Sequence, residues 1–136
     1  MNTPLCNTRV AWVTGAGGGL GSALVRELRD QGWCVAATGH RQAPAFDDEH
    51  VRVAAVDVTD RSQVAAGCSR ILDQFGRLDL LVNNAGTTAD RLLSQMAEPD
   101  WDRVVAVNLK GAFLCSQAAR VWVTTSLLRT IRGIMT

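Results

Sequence analysis

Five of the seven residues from Gly15 to Gly21 are glycines, in the segment VTGAGGGLGS. This segment lies between an apolar run typical of a buried strand and a stretch with helical periodicity. Unpaired backbone N–H groups and the helix dipole attract an anion at such a junction, and glycines let a pyrophosphate come close to the backbone. The spacing is Thr-Gly-x-x-x-Gly-x-Gly rather than the strict Gly-x-Gly-x-x-Gly, and no Gly-Lys-Ser/Thr follows, which excludes a P-loop. The segment predicts a phosphate-binding loop or, alternatively, a tight turn that binds nothing.

Polar residues also lie at the ends of two later apolar runs. Asn83 to Gly86 (NNAG) follow the run LDLLV, and Asp57 lies near the end of the run VRVAAVDV. Because the carboxyl ends of parallel strands meet at one edge of a sheet, both groups are expected beside the glycine loop. The two asparagines alternatively belong to an Asx turn, and Asp57 alternatively helps to cap the helix that follows it.

Another polar residue, Asn108, falls on the apolar face of the last predicted helix. That face consists of Trp101, Val104, Val105, Ala112, Cys115 and Ala119. A buried amide must find hydrogen-bond partners or destabilise the fold. Asn108 is therefore expected to be buried, where it either satisfies core backbone groups or faces a wet cavity of the site.

Alternating apolar runs and helical patterns predict the elements that position these residues. The predicted strands are Arg9–Thr14, Cys34–Thr38, Val51–Val58 and Leu78–Asn84. The predicted helices run from Leu20 to a cap at Gly32, from an N-cap at Asp60 to Phe75, and onward from Glu98. Strands that alternate with helices indicate an α/β fold with a doubly wound parallel sheet.

Length and composition fit one globular domain and narrow the classes of partner. The chain has 136 residues, a net charge of +1 and scattered basic residues, which speaks against binding nucleic acid or an anionic membrane. No apolar segment reaches the ~18 residues of a membrane span, and no signal peptide is evident at the N-terminus. The four cysteines form no C-x-x-C pair, which speaks against a zinc site. Three of them lie among apolar residues, as buried free thiols do, which favours a cytoplasmic location.

Four motifs in order resemble the short-chain dehydrogenase/reductase family. They are TGAGGGLG, Asp57-Val58, NNAG and NLKGAF, and the resemblance covers roughly residues 9 to 120. The stretch from NNAG to NLKGAF is most similar to the 3-oxoacyl-thioester reductases, which act on acyl-carrier-protein or acetoacetyl-CoA substrates. The resemblance implies a Rossmann-like fold and an NAD(P)-dependent oxidoreductase that transfers hydride between nicotinamide and a carbonyl or hydroxyl substrate.

The resemblance also implies roles for individual residues. Asn108 would be the catalytic asparagine, holding a water in a proton relay. Asp57 and Val58 would contact adenine. The ribose and the nicotinamide side would be flanked by Asn84, Ala85 and Gly86, and the cofactor loop would be shaped by Thr14, Gly15, Gly17, Gly19, Leu20 and Gly21.

The end of the second predicted strand bears on the choice of cofactor. An acidic residue there would bind the ribose 2′-hydroxyl of NAD, but the sequence reads Thr-Gly-His-Arg and contains no acid. Arg41, with His40, suits a 2′-phosphate, whereas Gly18 stands where NADP-dependent members often carry a basic residue. The sequence favours NADP over NAD, with a solvated loop arginine as the alternative for Arg41.

The family's proton-donating tyrosine, and the lysine four residues after it, are not found. The chain contains no tyrosine, and its one lysine, Lys110, lies two residues after Asn108. The tail from 121 to 136 does not resemble the family, which indicates a truncated or frame-shifted product or else a genuine helix extension.

We therefore expect one incomplete NAD(P)-binding domain over residues 1–136, ending after the fourth strand and the long helix. Such a chain would expose a sheet edge, form homo-oligomers and be inactive alone. The alternatives are a non-catalytic dinucleotide-binding module and a non-functional fragment.

Overall fold

The apolar runs form a parallel sheet, in a computed structural model that describes residues 8–134, with side chains to residue 123. Its four strands lie in the order β3-β2-β1-β4. Their bounds are β1 (Val10–Thr14), β2 (Cys34–Gly39), β3 (Val51–Ala55) and β4 (Leu80–Val82). The predicted α/β class and parallel sheet are confirmed, and β4 is an edge strand of the described sheet.

Helices cover both faces of this sheet. They are α1 (Gly19–Asp30), α2 (Arg61–Phe75), α3 (Glu98–Val105) and α4 (Ala112–Ile134). One core cluster joins Val13 and Val35 to Val25 of α1, and the other joins Trp12 to Ile71 of α2 and Cys115 of α4. The sheet is therefore doubly wound. Among the described helices, none is long and apolar enough to cross a membrane.

β3 and β4 are shorter than predicted because backbone N–H groups after them donate to a side chain or within a turn instead of to a neighbouring strand. After β3, the Val56 N–H still donates to the Gly39 carbonyl oxygen (2.7 Å), but the Asp57 N–H donates to the Gln63 side chain (3.0 Å). After β4, the Asn84 N–H turns back to the Val82 carbonyl oxygen at 3.0 Å. The apolar runs of the sequence therefore extend beyond the paired residues of β3 and β4. The polar residues at their ends lie where the carboxyl ends of the strands meet.

The helix ends follow the predicted caps closely. Asp60 precedes α2 and accepts from the N–H groups of Ser62 (2.8 Å) and Gln63 (3.2 Å). After α1 the cap is Gln31, one residue earlier than predicted, and Gly32 follows it with a φ of +81°. That left-handed conformation is one that glycine adopts without strain.

The last helix contains a π-helical turn that the sequence did not predict. Helical backbone runs from Glu98 to Ile134, but residues Ala106–Gly111 between α3 and α4 are π-helical. A π-turn inserts a residue and rotates the helix beyond it, so positions before and after the turn do not share one face. The predicted buried stripe is therefore wrong at Trp101, which is 58% exposed, and at Asn108, which is exposed rather than buried, whereas Val104 and Val105 are half-buried.

The prediction of free thiols holds for two cysteines. Cys68 and Cys115 are free and buried. Burial, and to a smaller extent the charge of the neighbouring Cys68 thiolate, raises the pKa of Cys115 to about 11. Cys34 is instead disulfide-bonded, so the prediction is wrong there. Bond formation depends on the separation of Cα atoms in space, which spacing along the chain does not reveal. Cys6 lies outside the described residues, and the cytoplasmic location stays a prediction.

Candidate functional site

The glycine loop joins β1 to the start of α1, and its glycines divide into two kinds. Gly15 has a φ of +64°, and a Cβ there would lie 2.7 Å from the Ala85 Cα. A Cβ on Gly21 would press against the Gly15 carbonyl oxygen and lie 2.6 Å from the Asn84 amide nitrogen. Gly15 and Gly21 therefore allow the loop to pack against the segment after β4, as a tight turn requires.

Gly17 and Gly19 have no such packing role. Neither has a positive φ, and a Cβ on either would meet nothing within 4 Å. They border an open crevice instead, next to the amino end of α1, where N–H groups are unpaired. A tight turn alone explains Gly15 and Gly21, whereas close approach of an anion to the backbone explains Gly17 and Gly19.

Asn84 and Thr14 fasten the end of β4 to the end of β1. The Asn84 side-chain amide donates to the carbonyl oxygens of Thr14 (3.0 Å) and Gly15 (3.1 Å). The buried Thr14 hydroxyl accepts from the N–H groups of Asn84 and Ala85, both at 3.1 Å, and donates to the Val82 carbonyl oxygen (3.3 Å). Asn84 thus bonds across strands rather than within an Asx turn.

Asp57 forms the opposite wall, after β3. One carboxylate oxygen accepts from the Thr59 N–H (2.9 Å) and hydroxyl (2.7 Å), and the other lies 3.2 Å from His40 Nε2. Burial alone would raise the pKa of Asp57, but the bonds from Thr59 and His40 outweigh it and lower the pKa below its usual value. Asp57 is therefore a carboxylate at neutral pH, and the cap of α2 is Asp60 instead.

Asn108 holds the segment that follows Gly86. Its side-chain oxygen accepts from the Thr87 N–H (2.8 Å), and its amide donates to the Thr87 carbonyl oxygen (3.0 Å). Of the two predicted alternatives, Asn108 satisfies backbone groups, although those groups are at the surface rather than in the core. The π-turn supports this arrangement because Asn108 lies within it.

Two adjoining crevices open above the sheet where β1, β2 and β4 end. One has a volume of about 500 Å³ and lies between Arg41, Asp57 and Gly86; the other has about 530 Å³ and follows the glycine loop. Each is large enough for a small organic ligand. The predicted cofactor residues that line them are Gly15, Gly17, Gly19, Leu20, Gly21, His40, Arg41, Asp57, Val58, Asn84, Ala85 and Gly86. Thr14 lies beneath, and Asn108 borders neither crevice.

Sequence reasoning missed one further wall of the 500 Å³ crevice. Arg103, Ala106 and Val107, from α3 and the π-turn, line it together with Thr87. The spacing of residues 103, 106 and 107 is helical and could have shown that they share a face. Nothing in the sequence showed that this face turns toward Asp57.

The described side chains include no metal centre. Among them, no group of three or more His, Cys, Asp or Glu residues is arranged to hold a metal ion. The arrangement is instead one for an extended anionic ligand. It combines unpaired N–H groups at a helix start with basic side chains at the end of β2.

Comparisons with known proteins agree with this geometry. The family model for short chain dehydrogenase matches residues 9–126, which includes the first residues of the tail. The 3-oxoacyl-[acyl-carrier-protein] reductase FabG of Staphylococcus aureus is 38% identical over 93% of this chain and 53% of its own. The (2S)-[(R)-hydroxy(phenyl)methyl]succinyl-CoA dehydrogenase subunit BbsD of Thauera aromatica is 36% identical over 81% of this chain and 48% of its own.

A solved structure shows the same fold. The short-chain dehydrogenase/reductase from Serratia marcescens superimposes with a TM-score of 0.75 at 33% identity, covering 84% of this chain and 52% of that one. The chain therefore spans about half the length of the relatives that it matches.

Proposed function

Because the chain belongs to the short-chain dehydrogenase/reductase family, we propose that it forms the NAD(P)-binding part of an oxidoreductase. The observation that carries this proposal is the position of the two crevices. They open at the carboxyl end of β1, between neighbours β2 and β4. Helices leave toward opposite faces there, and ligands of doubly wound sheets bind at such a point.

The residues of the crevices suit a dinucleotide. The pyrophosphate would lie over Gly17 and Gly19, where the backbone is open and the positive end of α1 favours an anion. Adenine would lie beside Asp57 and Val58, and the nicotinamide ribose beside the segment that begins with Asn84. When bound, the dinucleotide supplies or accepts the hydride, and the chain positions it.

The substrate that we propose is an oxoacyl or hydroxyacyl thioester. The names of two relatives support this class: one acts on a 3-oxoacyl group on a carrier protein, the other on a hydroxylated acyl-CoA. Carbonyl reduction needs a proton for the alkoxide that hydride transfer forms. As the family resemblance implies, Asn108 is proposed to hold a water in that relay; its amide nitrogen gives one hydrogen to the Thr87 carbonyl oxygen and carries a second.

Turnover by these residues alone is not expected, since no tyrosine occurs in the sequence. This favours a second candidate, a dinucleotide-binding module without catalysis. Titration of the chain with NADPH, followed by intrinsic tryptophan fluorescence, should show saturable binding. Addition of acetoacetyl-CoA should then cause no oxidation of NADPH. Lack of binding would indicate a non-functional fragment, and turnover would show that another residue supplies the acid.

NADP is proposed as the preferred cofactor because Arg41 lines the crevice at the end of β2. Arg41→Ala should weaken NADP⁺ binding by about 10- to 100-fold, because a charge-assisted bond to a phosphate contributes ~1.5–3 kcal/mol. NAD⁺ binding should change little. The matched control is Arg70→Ala, which removes the same charge from an exposed site on α2, away from both crevices. Equal losses for NADP⁺ and NAD⁺ would contradict the assignment.

Self-association is also proposed, through the edge at β4. In the described sheet Leu80–Val82 pair on one side only, with Leu80 half-buried. Exposed strand edges pair with other chains, and a lysine on the edge opposes this. Light scattering after size exclusion should show oligomers of the natural chain and a smaller species for Leu80→Lys. A monomer at every concentration would exclude association through this edge.

A further inference from the structure

The π-turn at Ala106–Gly111 is held against the rest of the chain from two sides. On one side, the Asn108 side-chain oxygen accepts from the Thr87 N–H (2.8 Å), and its amide donates to the Thr87 carbonyl oxygen (3.0 Å). On the other side, the buried Gly111 packs on Val58, which lies just after β3. Because π-helical turns are rare within helices, we expect contacts outside the helix to fix the place of this one.

The contact between Gly111 and Val58 leaves no room for a side chain. A Cβ on Gly111 would lie 2.7 Å from Val58 Cγ2 and 3.1 Å from Val58 Cβ. Val58 is 7% exposed and packs in the same core cluster as Leu114 and Cys115 of α4, so it cannot move aside without disturbing that core. Glycine is a poorer helix former than alanine. The glycine at position 111 is therefore explained by the close approach of the turn to Val58.

This contact lies beside the 500 Å³ crevice. Val58 and Thr87 line the crevice, and so do Ala106 and Val107 of the π-turn, whereas Gly111 lines neither crevice. Asn108 and Gly111 belong to the same six-residue turn. A shift of that turn away from Val58 would therefore change the distance between the Asn108 side chain and Thr87, and hydrogen bonds weaken steeply when their geometry is disturbed.

We propose that Gly111 is a positioning residue: its missing side chain lets the π-turn sit on Val58, which holds the Asn108 amide against Thr87. The inference rests on the proposed function for the role of Asn108 in a proton relay, and it adds what fixes that residue in place. One hydrogen of the Asn108 amide is given to the Thr87 carbonyl oxygen, so the direction of the second is fixed as well. A group that orders a water needs such a fixed direction.

The test is amide hydrogen exchange of the free chain, followed by NMR at Thr87. The Thr87 N–H donates to Asn108, so its exchange rate reports whether Asn108 is in place. Gly111→Ala should raise this rate about tenfold, toward the rate found in Asn108→Ala, because the new Cβ displaces the turn. Adding Val58→Ala should recover most of the protection. It removes Cγ2 and leaves the 3.1 Å contact to Cβ, which a shift of a few tenths of an ångström relieves.

Gly67→Ala is the matched control. Gly67 lies in α2, and a Cβ there would lie 3.0 Å from Cγ2 of the buried Val56. The control therefore adds the same methyl group against a neighbouring valine, but away from the π-turn, and Thr87 exchange should match that of the natural chain. The Val35 N–H, which donates to the His50 carbonyl oxygen inside the sheet (3.0 Å), reports opening of the whole fold.

An unchanged Thr87 rate in folded Gly111→Ala would overturn the inference. A rise in the Thr87 rate that only follows an equal rise at Val35 would also overturn it, because it would show a general loss of stability. If Gly111→Ala does not fold, the variant that also carries Val58→Ala decides, and unprotected Thr87 in that folded chain would contradict the inference.

Titration with NADPH separates this inference from the proposed function. Thr87 exchange is measured without nucleotide, so failure of the natural chain to bind NADPH would contradict the proposed function and leave the contact to be decided by exchange alone. Where the natural chain binds, Gly111→Ala should bind NADPH more weakly, because the walls of the crevice shift, and Gly67→Ala should bind it equally well. Equal NADPH affinity in Gly111→Ala and the natural chain would show that the contact does not shape the crevice.

Discussion

Alanine in place of Gly21 is expected to lower the free energy of unfolding by about 3 kcal/mol, near the upper range for overpacked sites. The new Cβ would press on the Gly15 carbonyl oxygen and would lie 2.9 Å from the Ala16 Cα. Backbone atoms in a loop fixed by Asn84 cannot move aside as the end of a long side chain can. Urea unfolding followed by fluorescence measures the loss, and nucleotide binding should disappear with it.

Gly19→Ala is the matched control for this variant. A Cβ on Gly19 meets nothing within 4 Å and lies in the first turn of α1. Stability should therefore stay equal or rise by up to ~1 kcal/mol, since alanine favours helix more than glycine. Nucleotide affinity should nevertheless fall, because the added methyl group occupies the crevice. If Gly21→Ala unfolds at the same urea concentration as the natural chain, the packing described for the loop is wrong.

Asn84→Ala is expected to have the second largest effect. It removes the amide that donates to the carbonyl oxygens of Thr14 and Gly15, at 3.0 and 3.1 Å. The Gly15 carbonyl oxygen keeps the Gly18 N–H as a donor (3.2 Å), but the Thr14 carbonyl oxygen loses this one. Removing a donor from a buried carbonyl costs ~1–3 kcal/mol, and the glycine loop loses its attachment to β4. Both the midpoint of urea unfolding and the affinity for NADPH should therefore fall.

Asn83→Ala provides the comparison at the neighbouring position. Asn83 is exposed, and its side-chain amide donates to the Ser116 hydroxyl at 3.1 Å. Exposed substitutions usually change stability by less than ~0.5 kcal/mol, and we expect no change in NADPH affinity. Similar losses in the two variants would mean that the effect comes from the NNAG segment as a whole. The attachment assigned to Asn84 would then be incorrect.

The centre of the sheet was predictable because β1 and β2 are buried on both faces. β1 and β2 are fully buried, and such strands appear in a sequence as unbroken apolar runs. The crevices were predictable for a related reason, since parallel strands bring the residues after them to one edge. Glycine spacing then identified the loop.

The misses at the candidate site have a physical origin in the last helix. Prediction assumed a uniform helical period, whereas Ala106–Gly111 form a π-turn. The exposure of Asn108 and the position of Arg103 at the wall of the crevice both depend on how the helix lies around that turn. Local propensity does not report such a rotation. The disulfide at Cys34 was missed because chain spacing says nothing about distance in space.

The central position of β1 has a consequence for how the chain folds. β1 pairs with β2 over a short crossover, but its contacts to the β4 end, such as the bond between Thr14 and Asn84, span 70 residues. Closing such a long loop is entropically costly, and parallel pairings of this kind form slowly. The crevice cannot exist before β4 docks. Recovery of nucleotide binding during refolding should therefore lag behind recovery of helical circular dichroism. Nucleotide should bind and stabilise only those chains in which β4 has already docked.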